Sequence, residues 1–187
     1  MRGFGRFLIA TLSGLVLAVG VHIAVILASP YLAEQDAFAK IQPTLTADKA
    51  QIIGAPGGEN TWLPRPDPAV AVAACAFDLR NGPMRVAAKT GALPLSFSFH
   101  KKTGGVFFAV TDRAAIRGEL EIVAMTARQL DEARAAEDEN DPSRDVRIVA
   151  PEQQGFVIVR VAAPTPSLRP QAEETAKAVS CTAEQDA

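Results

Sequence analysis

From residue 7 to residue 29 the chain reads FLIATLSGLVLAVGVHIAVILAS, 23 residues without a formal charge. As a helix rising 1.5 Å per residue it would be roughly 34 Å long, enough to cross a hydrocarbon core of about 30 Å. A cleaved signal peptide is the competing reading. Its apolar stretch would run about 7–15 residues and close on small residues at alternate positions. Here the run is longer, Ile26 and Leu27 stand close to where small side chains are wanted, and Pro30 follows. The segment therefore reads as a retained single-pass anchor. Arg2 and Arg6 precede it, whereas Lys40 and Lys49 beyond it are offset by Glu34, Asp36 and Asp48. Positive-inside weighting puts residues 1–6 in the cytoplasm and the rest of the chain outside.

Ala10, Gly14 and Ala18 recur every four residues, and His22 continues that stripe on one helical face. Small residues at this spacing let two membrane helices approach closely, and a histidine at membrane depth calls for a partner. The plainer reading is that such stripes are common in alanine-rich spans and that His22 lies near enough to the outer interface to be hydrated.

After the span, residues 30–66 read as a juxtamembrane helix and a linker. Ser29 can cap a helix whose first position is Pro30, with Tyr31, Phe38 and Ile41 near one face, set against the membrane surface or the domain. Gly54, Gly57 and Gly58 do not form a dinucleotide loop, because Pro56 interrupts them, the spacing differs and no helix follows. Pro64, Pro66 and Pro68 alternate and keep the chain extended. Trp62 in this stretch could anchor the linker to a sheet edge or to a partner.

From residue 67 onward the pattern is mostly strands. VAACAFDLRNGPMRVAA gives two strands around a tight turn at Asn81-Gly82. In LSFSFH, Leu95, Phe97 and Phe99 alternate with Ser96, Ser98 and His100, as in a half-buried strand. Val106, Phe108 and Val110 alternate in the same way with Phe107, Ala109 and Thr111. The intervening KKTGG has the length and glycines of a hairpin connection. A basic, glycine-bearing tip could also cradle an anion, but neither a helix start nor a phosphate-loop spacing accompanies it. It reads as a turn with solvated Lys101 and Lys102. GELEIVAMT is a further strand. A helix follows in TARQLDEARAA, opened by a capping box of Thr126 and Gln129. The acidic run beyond it lacks the glycine of a calcium loop, since Pro142 follows Asp138 and Asn140. DVRIVAP and GFVIVRVAAP are the last strands, and Pro166 and Pro170 lead into a C-terminal helix, QAEETAKAVSC. About seven strands with short turns predict an antiparallel β-sandwich, jelly-roll-like, with a few helices over residues 67–187. The alternative is a sheet with helices on one face.

Chemistry is sparse. A net charge of −2 announces no nucleic-acid surface, and no cofactor motif occurs. His100 is the only histidine beyond the apolar run. Ser96, Ser98 and Asp112 could complete a hydrolase triad with it, but there is no nucleophile elbow. Two distant cysteines and one histidine fall short of a zinc site. Asp78, Asp112 and Glu119 could meet as paired carboxylates, although their spacing does not recommend it. In an oxidising compartment Cys75 and Cys181 would pair, the alternative being two buried thiols. An enzymatic role is left open.

DPAVAVAACAFDLRNGPMRVAA, LSFSFHKKTGGVFFAVTDRAA and GFVIVRVAAP, with EQDAFAKI after the apolar run, resemble the short single-span members of the bacterial family called domain of unknown function 1254. Longer relatives join that domain to a second, domain of unknown function 1214. The resemblance implies a β-rich module on the periplasmic side of the bacterial inner membrane, working with a separately encoded protein partner of the second type. It implies no reaction. The expected function is thus association in the envelope, with an exported enzyme or ligand-binding sandwich acting on an envelope glycan or lipid as the alternative.

Overall fold

The computed structural model describes residues 2–32, 37–46, 48–54, 63, 65–137 and 145–184 of the 187. It divides into two compact units, Met1–Asp36 and Ala37–Ala187. The expectations for Gly57, Gly58, Trp62, Pro64, Asp138, Asn140 and Pro142 concern residues outside the described set.

The first unit holds one helix, α1 (Arg2–Leu32). Its stretch Gly3–Ser29 has a mean hydropathy of 2.3 and is long and apolar enough to span a membrane, as anchors and signal sequences both are. No new helix starts at Ser29. Proline is compatible with helical φ but loses the bond to the residue four back and crowds that residue's carbonyl; α1 runs through Pro30 and ends two residues later, at Leu32.

In the second unit the described strands are β1 (Gln51–Ile52), β2 (Val70–Asp78), β3 (Met84–Lys89), β4 (Leu95–Lys101), β5 (Val106–Thr111), β6 (Glu119–Met125), β7 (Val146–Val149), β8 (Gln154–Ala162) and β9 (Ser180–Ala183). Three short helices join them: α2 (Ala37–Ile41), α3 (Ala127–Ala136) and α4 (Arg169–Lys177). Two sheets form, β1-β2-β8-β4-β5 and β7-β6-β3-β9. This is the expected mainly-β sandwich with a few helices. One pair, β6 with β7, is parallel, because α3 carries the chain back between them and a parallel pair needs such a crossover.

Alternate residues of both sheets fill the space between them, including Phe77, Phe97, Phe99, Ile122 and Val157. A second, smaller core lies on the other face of the five-stranded sheet. There Val72, Phe156 and Ile158 meet Phe38, Ile41 and Ile53. This explains why β2 and β8 read as continuous apolar runs, as strands buried on both faces do. It also moves the start of the folded unit from residue 67 to Ala37. Where β1 is too short to pair with Ala76, the Thr44 hydroxyl accepts that amide at 2.8 Å and donates to the Ile41 carbonyl, also at 2.8 Å.

Residues 48–52 then close one side of the sandwich. Lys49 bridges to Ser180 in one sheet and Gln51 pairs with Ala74 in the other. Cys75 and Cys181 form a disulfide across the same side, with an S–S distance of 1.98 Å. Cys75 sits mid-strand on β2, and Cys181 lies on β9, not in the last helix. α4 ends at Lys177 and the following residues pair with β3. Two turns also differ from expectation. The chain from β2 to β3 is no hairpin: the 3-10 turn Leu79–Asn81, with Gly82 at φ 122°, carries it from one sheet to the other. In β5 a register shift inserts Phe107. Both Phe107 and Phe108 consequently pack near Phe99, with ring centroids 6.1 and 6.0 Å away, a rearrangement that an extra residue in one strand makes possible.

Candidate functional site

The hairpin tip between β4 and β5 is a turn. Gly104 and Gly105 take positive φ, 95° and 84°, which glycine adopts without steric cost. The Lys101 amide donates to the Gly105 carbonyl at 3.1 Å and the Gly104 amide to the Lys101 carbonyl at 3.0 Å. The chain itself supplies a carboxylate to this tip. Glu152, in the loop before β8, accepts from the Thr103 amide at 3.2 Å and from the Thr103 hydroxyl. Those bonds hold its carboxyl below the usual range. Lys102 is engaged as well: its ammonium donates to Gln154 at 2.9 Å and lies 5.3 Å from the centre of the Phe38 ring.

One polar cluster lies on the outward face of β4 and β8. Strand alternation points Ser96, Ser98 and His100 to one side, and β8 sets Arg160 opposite Ser96 and Phe156 opposite His100. The Arg160 guanidinium donates to the Ser98 hydroxyl at 3.0 Å. Ser98 Oγ lies 3.1 Å from His100 Nε2. A guanidinium only donates, so the Ser98 oxygen accepts from Arg160; towards His100 it donates to an Nδ1–H tautomer and accepts from an Nε2–H one. The ring stacks on Phe156, 4.8 Å between centroids and 8° from parallel. Burial, and then the Arg160 charge, push the His100 pKa below its usual value.

This is the hydroxyl–imidazole half of a hydrolase relay without the rest. Ser98 is buried, and it pairs with both Ala109 and Ile158 in the ladders, so its strand offers no free amides for an oxyanion. Asp112 follows Thr111, which pairs with Ser96, whereas His100 pairs with Val106 at the other end of the hairpin. The carboxylate is thus near Ser96 and remote from the imidazole. Nor do the three carboxylates gather. Asp78 is at the Gln154 end of the sheet, where Arg80 and Gln154 bind it. Glu119 begins β6 in the other sheet and lines a separate cleft of about 530 Å³ beside Lys89 and Thr175. Among the described residues no three His, Cys, Asp or Glu side chains are grouped to hold a metal ion. On α1, Ala10, Gly14, Ala18 and His22 are exposed, and a Cβ built on Gly14 would meet nothing within 4 Å.

Beside the Ser98–His100 contact lies a groove of about 550 Å³. Ser96, Thr111, Asp112, Arg113 and Arg160 line it, over Val70, Pro94 and Ala162. Sequence reading passed over Arg160, Phe156 and Glu152. The first had a signal: one cation interrupts the apolar strand FVIVRV.

The class of protein defined so far is a two-sheet β-sandwich following an apolar N-terminal helix. No family model matches the chain, and no curated protein does. Among solved structures it is similar to a protein from Vibrio parahaemolyticus, at 10% identity and a TM-score of 0.50, over 73% of this chain and 30% of that one. It is also similar to an uncharacterized protein from Burkholderia cenocepacia, at 14% identity and a TM-score of 0.47, over 92% of this chain and 51% of that one. This chain therefore spans about a third to a half of the length of the solved chains it resembles, and the likeness is one of fold.

Proposed function

We propose that the chain is an envelope module of the kind called domain of unknown function 1254. In this reading residues 7–29 hold it in the bacterial inner membrane, and the sandwich stands in the periplasm and works by binding a separately encoded companion. The observation that supports it most is an apolar helix long enough to span a membrane, Gly3–Ser29, followed in the chain by a disulfide-bearing sandwich. A protein of the domain of unknown function 1214 type suits the role of companion. The Cys75–Cys181 bridge agrees with an oxidising compartment, and tethering raises the effective concentration of even a weak contact. Extraction in mild detergent, cross-linking and mass spectrometry of the tagged full-length chain test the reading. A recurrent companion lost on deleting the sandwich supports it. A chain that elutes alone at native expression, or a C-terminal reporter active only in the cytoplasm, removes it. The groove beside Arg160 favours a second reading, an exported ligand-binding sandwich.

A further inference from the structure

Arg160 occupies a position that packing does not explain. It sits near the end of the central strand β8, on a face whose preceding outward positions, Phe156 and Ile158, are buried in the second core. At Arg160 that cover ends and the residue is exposed. Pairing across the sheet sets Thr111, Ser96 and Arg160 in one row, on β5, β4 and β8. Directly opposed positions in a sheet lie about 5 Å apart, so the three polar side chains form a short ladder. Arg113, on the turn after β5, lines the same groove. Among the described residues, neither Arg113 nor Arg160 forms an ion pair, and Asp112 pairs with neither. The lining carries two guanidinium charges against one carboxylate. Beside this polar row the wall is apolar, made by Val70, Pro94 and Ala162.

We propose that this groove binds an amphiphilic phosphate ester, with the phosphoryl group between Arg113 and Arg160 and an apolar tail along Val70, Pro94 and Ala162. Guanidinium forks match phosphate oxygens in planar, paired hydrogen bonds, and the Ser96 and Thr111 hydroxyls can donate to oxygens that the arginines leave. The apolar wall selects against bare phosphate. The head chemistry is that of an anionic lipid. The inference does not depend on the association reading, since a companion could dock elsewhere on the sandwich.

His100 supplies a reporter, because Arg160 reaches it through Ser98 and the chain has only one other histidine, His22. The full-length protein in phosphatidylcholine nanodiscs, labelled at the histidine Cε1 carbons, gives two imidazole signals, and His100→Gln assigns them. An anion on Arg160 offsets the charge beside the ring, so hexyl phosphate should raise the His100 midpoint. Hexanol should leave it in place, and inorganic phosphate should need at least tenfold more ligand. Arg113→Gln, at an exposed position away from the ring, should keep the ligand-free midpoint and weaken the hexyl phosphate response about tenfold. Discs containing phosphatidylglycerol test the source: a raised midpoint without added ligand assigns the phosphate to the bilayer, and a response to hexyl phosphate only assigns it to a soluble ester. A midpoint unmoved at millimolar hexyl phosphate overturns the proposal. So does an equal response in Arg113→Gln, or inorganic phosphate as effective as its hexyl ester.

Discussion

Gly155→Ala separates backbone fit from every other property of the domain. Gly155 lies on β8 between Phe77 of β2 and Lys101 of β4. Its φ is outside the left-handed range, so alanine can take up the same backbone, and the loss of unfolded-state freedom would by itself stabilise by about 0.4–1 kcal/mol. Space reverses the sign. A Cβ there would lie 2.3 Å from the His100 carbonyl oxygen and 2.5 Å from Phe77 Cζ. Restoring ordinary contact means moving the β4 backbone by more than 1 Å within the sheet. Overpacking costs about 1–3 kcal/mol, and a clash with both a ladder carbonyl and a buried ring belongs at the top of that range. We expect a net loss of about 2–3 kcal/mol in urea unfolding of the full-length chain in detergent, with an unchanged dependence on denaturant. Phe77→Ala alone should cost about 3–5 kcal/mol. In the double variant the ring clash is gone and the carbonyl clash stays, so the combined loss should fall short of the sum by about 1 kcal/mol. Wild-type stability, or a gain, in Gly155→Ala would refute the reasoning. Strict additivity would show that the ring is not part of the clash.

Reducing the Cys75–Cys181 bridge, which spans 106 residues, should lower stability by about 4–5 kcal/mol on the chain-entropy account; urea curves with and without reductant that differ by less than about 1 kcal/mol would exclude it. Asp78 is held at a pKa of about 2, chiefly by the Arg80 side chain and against the effect of burial. A depressed carboxyl stabilises the fold above the unfolded pKa and loses that contribution as pH falls, here from about pH 4 towards pH 2. Asp78→Asn should flatten the acid limb of a stability–pH profile in that window. Buried Gln129 donates to the Leu79 carbonyl at 2.9 Å while closing the capping box of α3. Gln129→Ala should therefore cost about 1–3 kcal/mol, and Gln129→Glu, which cannot donate when ionised, should cost no less; wild-type thermal melting of the Glu variant would contradict this.

Local chemistry was legible in the residues themselves. Unbroken hydrophobicity over residues 7–29 commits that stretch to a helix whatever follows it. The capping box at Thr126, the glycines of the KKTGG turn and the alternation in LSFSFH act over a few residues, and each appears in place. A sandwich of short strands follows from those patterns taken together.

What pairs with what was decided by the tertiary structure. The run VAVAACAF is compatible with burial on one face or on both. Only the return of Phe38, Ile41 and Ile53 onto β2 and β8 settles that both faces are covered, and it does so from more than 15 residues away. Asn81-Gly82 suits a hairpin, yet β2 and β3 belong to different sheets, because β2 gains more by pairing along all nine of its residues with β8. Helix propensity favoured AKAVSC as helix, and pairing with β3 made Cys181 part of a strand. The Arg160–Ser98 contact and the Glu152 carboxylate on the hairpin tip join residues about 50 or more positions apart. Such contacts depend on sheet order and register, which periodicity within a single strand does not encode.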